Sequence, residues 1–382
     1  MTRAERPVVR GRDTACGRGG QPAGGAAAAV RRCHAYLLGM TFCLLAMPLA
    51  AQGQQSDSVV GDRGVPTFGT ITEITRVQIT VDTPQGKKLF PVNETQKVTF
   101  KDEPRELRNA RDGILRGQLE NSRSDLEKIS LDGITRKEIR QDIEFYKAYC
   151  DGRLALVGGG DKAAAVKALR AFVENPANNA SHHYYTAIEL LGDLAVALAS
   201  YDNGIKYYSQ LAEAPWPDSK LRATILEANA MVASGRYEEA LARFDSALAA
   251  SLDDARAREQ KLLATLGRAV CLARLGKPEE GIALVTQIID ENNSQEKPVL
   301  FARAYNALGT CYLQANKRQD ALLAFLHVDL LFNQDPDAHA EALYHLSALW
   351  QETGKSERAL KARSLLESRY SGSPWANRKD KS

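Results

Sequence analysis

A six-residue phrase returns along this chain at a long, nearly regular interval. It reads Gly235-Arg-Tyr-Glu-Glu-Ala240, Gly276-Lys-Pro-Glu-Glu-Gly281, Asn316-Lys-Arg-Gln-Asp-Ala321 and Gly354-Lys-Ser-Glu-Arg-Ala359. A looser copy, Ala199-Ser-Tyr-Asp-Asn-Gly204, stands before them. The closing small residues fall at 204, 240, 281, 321 and 359, so the steps are 36, 41, 40 and 38 residues. Recurrence at this period predicts an array in which each unit is one supersecondary element that buries its apolar face only against its neighbours. Between phrases the apolar residues recur at three and four, as in Ile188, Leu191, Leu194 and Leu198, so the units are helical.

The residues around the phrase resemble the tetratricopeptide repeat (TPR) family, a helix–turn–helix unit of about 34 residues. The fullest copy is Tyr305-Asn-Ala-Leu308-Gly309-Thr-Cys-Tyr312, followed by Ala321 and Phe325. Others carry Leu191-Gly192, Tyr201, Gly204 and Tyr208; Tyr237, Ala240 and Phe244; and Leu346, Trp350, Gly354 and Ala359. Pro278 and Gly281 replace the family's Tyr and Ala in the weakest copy. Two degenerate units precede these, around Gly160–Ala165 and Gly117–Ser122. The resemblance implies a mainly α solenoid of about seven hairpins over residues 103–373. It implies glycine or alanine where two helices cross and aromatics between hairpins. A charged tail over 374–382 follows, and its end, Arg378–Ser382, is expected to fray.

Ahead of the helices the pattern changes. Val77-Gln-Ile-Thr-Val81 alternates with period two, and Thr83-Pro-Gln-Gly86 is a turn. With Gly69–Ile74, Lys88–Val92 and Lys97–Phe100 this predicts a small β module over 69–102. It resembles the SH3-like barrels that precede helical repeats in exported bacterial proteins. So small a sheet is expected to lean on the first helices or on a partner. Residues 52–68 read as a linker.

Arg31-Arg32, the apolar run Tyr36–Met47 and the small residues Pro48–Ala51 read as a signal peptide over 1–51, which predicts export to the bacterial periplasm or cell envelope. Of the formal charge of +3, +5 lies in that segment, where seven Arg face Glu5 and Asp13, so the remainder carries −2. A near-neutral body gives no reason to expect nucleic acid or a membrane surface as partner. Cys150, Cys271 and Cys311 are odd in number and widely spread, which predicts packing residues rather than disulfides or zinc ligands.

The chemistry is sparse. There is no Walker loop, GxSxG or HExxH, so no enzyme, cofactor or metal site is expected. Gly158-Gly-Gly160-Asp161 falls where the repeat places a turn. Glu341 and His345 share a helix face with His339 nearby, a pairing that coincidence explains, and His182-His183 read as solvated. What remains is the inner face that the TPR resemblance implies: Glu189, Asp193, Arg222, Asn229, Arg274, Arg303, Asn306, Tyr344 and His345. Such a mixture of cationic, amide and aromatic groups suits an extended peptide or a partner helix. The expected role is a non-catalytic protein-binding scaffold; the alternative is a substrate-recruiting subunit of an envelope enzyme or secretion complex.

Overall fold

The computed structural model describes residues 56–378, so the export signal expected over 1–51 lies outside the described residues. Fourteen α-helices among the described residues pair into seven hairpins. These are α1 (Arg105–Leu115) with α2 (Leu119–Glu127), α3 (Lys137–Leu156) with α4 (Lys162–Glu174), and α5 (Tyr184–Ala197) with α6 (Tyr201–Leu211). Then come α7 (Pro217–Ala233) with α8 (Tyr237–Leu248), and α9 (Ala255–Arg274) with α10 (Pro278–Glu291). The last two are α11 (Pro298–Gln314) with α12 (Arg318–Leu331), and α13 (Pro336–Glu352) with α14 (Ser356–Arg369).

The repeated phrase is the turn of each hairpin. Its first residue ends the first helix in the left-handed region, at φ 84° for Gly235, 85° for Gly276 and 71° for Gly354. The next N–H then reaches back five residues, from Arg236 to the Met231 carbonyl and from Lys277 to that of Leu272, each at 2.9 Å. This bond satisfies a carbonyl that the helix end would otherwise orphan, and glycine makes the conformation cheap. Asn316 and Ala199 adopt the same geometry without being glycine, and the bond still forms. The phrase's last residue lies at the crossing of the two helices. A methyl added at Gly281 would sit 2.6 Å from the Ala269 carbonyl oxygen, and Ala240 and Ala321 are fully buried. Facing them, Gly192 lies under the Tyr208 ring and Gly309 under the Phe325 ring.

Five antiparallel strands precede the helices: β1 (Asp57–Gly61), β2 (Pro66–Ile74), β3 (Gln78–Thr83), β4 (Gly86–Pro91) and β5 (Thr95–Thr99). Their order is β4-β3-β2-β1-β5. The chain meanders from β1 to β4, makes one 3-10 turn at Val92–Glu94, and returns to pair β5 with β1. The stretch 52–68 is therefore not all linker: it contains β1 and the start of β2. Polar Asp57-Ser58 hid that strand, yet both residues are buried. Asp57 explains why. Burial opposes its charge, but its carboxylate accepts from the Ile71 and Lys101 N–H groups, each at 2.7 Å, and from the Arg136 guanidinium at 2.6 and 3.0 Å. Those partners hold it below the usual carboxylate range.

The sheet has no core of its own. Val59, Ile79, Val81, Val98 and Phe100 join Leu107, Leu126, Ile139 and Ile143 in one cluster with α1, α2 and α3. Further along, Arg76 covers the Tyr184 ring at 3.6 Å and bonds Asn179, Asn93 donates to Asp218, and Arg256 donates to Asp62 at 2.7 Å. At the far end, Gly372 lies against the turn between α3 and α4. A methyl on Gly372 would come within 2.1 Å of the Gly158 nitrogen. The turn of hairpin two and the segment that follows hairpin seven thus meet across a backbone seam.

Candidate binding groove

On the inner face that the TPR resemblance implies, first-helix residues form two clusters. In one, Glu189 of α5 pairs with Arg222 of α7, Nε to Oε2 at 2.9 Å. Beside them Asp193 accepts from the Tyr208 hydroxyl at 2.8 Å. Burial and the neighbouring Glu189 push the Asp193 carboxyl up to about 6, against the pull of Tyr208. In the other cluster Asn306 of α11 donates to the Ala338 carbonyl at 2.8 Å and to Glu341 of α13 at 3.1 Å. Asn306 is 2% exposed, and its Oδ1 has no hydrogen-bond partner among the described residues. Burial lifts the Glu341 carboxyl to about 7, despite the Asn306 bond and the fields of Arg378, Arg303 and Arg274. His345 stacks on Phe325 at 4.6 Å and is driven down to about 3 by burial and by Arg274 and Arg378, so its ring is neutral. Burial raises the carboxyls of both Asp193 and Asp337, the latter at the start of α13, and the charge of Arg153 of α3 opposes that rise at each.

The nine residues read from the sequence therefore fare unequally. Glu189, Asp193 and Arg222 come together, as do Asn306 and His345 with Tyr344 beside it. Arg274 and Arg303 flank the second cluster, with Arg303 Nε on the Asp335 carboxylate at 3.0 Å. Asn229 stands exposed on α7. Asn306 is buried rather than open to the groove, because it ties α11 to α13. Sequence reasoning left Arg153, Glu341, Trp375 and Arg378 out of this set. The spacing of Glu341 four residues before His345 was the available signal.

Glu341 also sets a pH dependence. Its folded pKa stands above the ordinary 4.5, so its contribution to stability is complete below that value and is lost as pH rises to about 7. Glu341→Gln is expected to match the parent's stability near pH 4 and to exceed it by about 1–3 kcal/mol near pH 8. Thermal melts across that range check it; a pH-independent difference would contradict the assignment.

The histidines sort differently from the sequence reading. His339 leaves Glu341 and His345: it bonds the Tyr370 hydroxyl and Asp329, each at 2.8 Å. His182 and His183 are not solvated. His183 Nε2 lies 3.0 Å from Asp142 Oδ1 and its ring stacks on Phe145 at 3.9 Å, while His182 Nε2 lies 4.0 Å from the same oxygen. Burial and His183 drive His182 down to about 3. Two imidazoles and a carboxylate could ligate a cation, but Arg111 holds the other Asp142 oxygen at 2.7 Å and also bonds Glu103. A guanidinium at that distance supplies the positive charge the carboxylate needs. The cluster is a charge clamp that joins α1, α3 and the start of α5. All three described cysteines are buried, with thiols pushed up to about 12 by burial, so none offers a thiolate.

Seven successive hairpins, each closed by a left-handed residue and crossed at a small one, decide the architecture. The array is TPR-like. No family model matches the chain, and no curated protein is similar to it. Solved structures are similar to it at low identity. A tetratricopeptide repeat protein from Parabacteroides merdae is 16% identical, over 69% of this chain and 91% of that one, with a TM-score of 0.49. A Rap protein complexed with competence and sporulation factor is 13% identical over 71% and 76%, with a TM-score of 0.48. YrrB, a TPR protein with an unusual peptide-binding site, is 18% identical over 56% and 97%, with a TM-score of 0.28.

Proposed function

We propose that this chain is a non-catalytic scaffold that holds an extended segment of a partner protein along the inner face of its TPR-like array. The observation that carries the reading is the second cluster, where Tyr344, His345 and Glu341 of α13 lie together beside the exposed Arg303 of α11. It gathers a carboxyl near neutrality, a neutral imidazole and three arginines, a set suited to main-chain and side-chain contacts with a peptide. The signal pattern in residues 1–51 supports a periplasmic or envelope location. No helix among the described residues is long and apolar enough to cross a membrane, and the −2 balance outside the signal argues against nucleic acid as partner.

Photo-crosslinking in cells tests this reading. A photoreactive residue at Asn229 or Arg303, both exposed on first helices, is expected to capture one protein of defined mass. The same residue at Leu330, on the outer surface of α12, is the control. Equal capture from Leu330, or none from the inner positions, would remove the groove from consideration. Deleting the β module is a poor alternative, because its strands share their core with α1, α2 and α3.

A further inference from the structure

The described part of the charged tail, residues 374–378, packs on the last hairpin, while most of the stretch expected to fray lies outside the described residues. After α14 the chain turns at Tyr370–Ser373 and lays Trp375 on α13. The Trp375 ring sits 5.4 Å from the rings of both Tyr344 and His345. Arg378 lies over Trp375 at 5.0 Å and over Tyr344 at 5.6 Å, and its field acts on Glu341 and His345. These are residues of the second inner cluster. The tail is therefore an occupant of that part of the groove.

Side chains rather than main-chain bonds hold the tail to the helices. Trp375 N–H donates to Ser373 Oγ at 3.3 Å, and Asn377 donates to the carbonyls of Ser371 and Ser373 at 3.1 Å. Those bonds are internal to the tail. Toward the helices, the hydrogen bond recorded for this segment beyond Pro374 runs from the Arg363 guanidinium to the Ala376 carbonyl, at 3.3 Å. Trp375 and Ala376 also pack against the apolar core of the last hairpins, and Arg378 lies over rings, interactions that a chain with the same side chains can reproduce. Gly372, by contrast, is locked against Gly158. The tail thus has a fixed base at the seam and an exchangeable end at the groove.

We propose that Trp375 and Arg378 are a built-in competitor for a partner segment of like chemistry, an aromatic residue followed three positions later by a basic one. This rests on the groove reading above and names the side chains the groove selects. The tether is short, from Tyr370 to Pro374, so the competitor is present at an effective concentration of roughly millimolar. A partner must exceed that to enter. Weak aromatic–basic segments are excluded, and a strong one displaces the tail without disturbing the seam.

The test uses the full chain and a fluorescent synthetic peptide with the sequence of residues 371–382. The double variant Trp375→Ala/Arg378→Ala, confirmed folded by its helical circular dichroism and melting profile, is expected to bind that peptide at least about tenfold more tightly than the unaltered chain. A peptide in which the tryptophan and arginine are both alanine is expected not to bind. Adding Tyr344→Ala to the double variant is expected to abolish binding of the original peptide. Equal affinity of both proteins for the peptide, or no binding by the double variant, overturns the proposal. So does retention of affinity by the alanine peptide. Failure here with continued crosslinking from Asn229 or Arg303 would leave the groove reading standing and remove the competitor alone. Peptide binding to the emptied site without any cellular adduct would do the reverse.

Discussion

Arg111→Met is expected to lower the unfolding free energy by about 3–5 kcal/mol, the largest loss of any single change outside the apolar core. Arg111 is 2% exposed and carries both carboxylates of the clamp. It meets Glu103 at 3.0 and 3.1 Å and Asp142 at 2.7 Å. Methionine fills similar volume but strands two buried negative charges, and the cost is their desolvation rather than the value of the lost contacts. The damage should concentrate where the clamp acts, between α1, α3 and the start of α5, and so loosen the β module. Urea unfolding followed by hydrogen exchange checks both the size and the place. Replacing Glu103, Arg111 and Asp142 together with apolar residues should recover part of the loss, since no uncompensated charge then remains. A loss below about 1 kcal/mol for Arg111→Met would mean that water reaches the carboxylates.

Phe325→Ala is expected to cost about 3–5 kcal/mol and to disturb the groove as well. The Phe325 side chain is fully buried, and its ring covers Gly309 at the α11–α12 crossing. Its other side stacks on His345 of α13 at 4.6 Å. The alanine variant therefore opens a cavity inside one hairpin and removes the contact to the next. In an array whose stability is a sum of unit and nearest-neighbour terms, such a lesion uncouples what lies on either side. The expected signature is an unfolding transition that splits, with α13 and α14 melting first, rather than one that only shifts. Trp375, which lies on His345, should become more accessible, and its fluorescence should move to longer wavelength before the main transition. A single cooperative transition with unchanged Trp375 emission would show that the hairpins are coupled by other contacts.

Both expectations draw on residues whose roles differ in how openly the sequence shows them. Phe325 was legible. It stands at its place in the repeat, four residues after Ala321, and the phrase that locates it is written by local rules. A left-handed helix end favours Gly235, Gly276 and Gly354, and a close crossing requires Ala240, Gly281 and Ala321. Each demand falls on a few neighbouring residues and repeats with the unit, so the repeat is readable from spacing, and the TPR resemblance extends it to seven hairpins. The strands β2 to β5 were readable for a similar reason, since their side chains alternate along one short run.

The clamp, the first strand and the seat of the tail were not legible, because each depends on residues far apart in the chain. β1 has an unremarkable polar start; it is a strand because β5, some 38 residues on, pairs with it and Arg136 neutralises Asp57. His182 and His183 look like solvated residues at a helix start until Asp142 arrives 41 residues away. Asn306 looks like a groove amide until α13 packs over it, 32 residues on. Trp375 and Arg378 read as a charged end because nothing local places Tyr344 beneath them. The sequence by itself determined the unit, its period and which residues turn and cross, since those follow from backbone geometry over a few residues. Only the tertiary structure decided which charges are buried together and what occupies the groove. Those outcomes depend on how far each hairpin rotates against the last, and that rotation is set by the packing of many side chains at once.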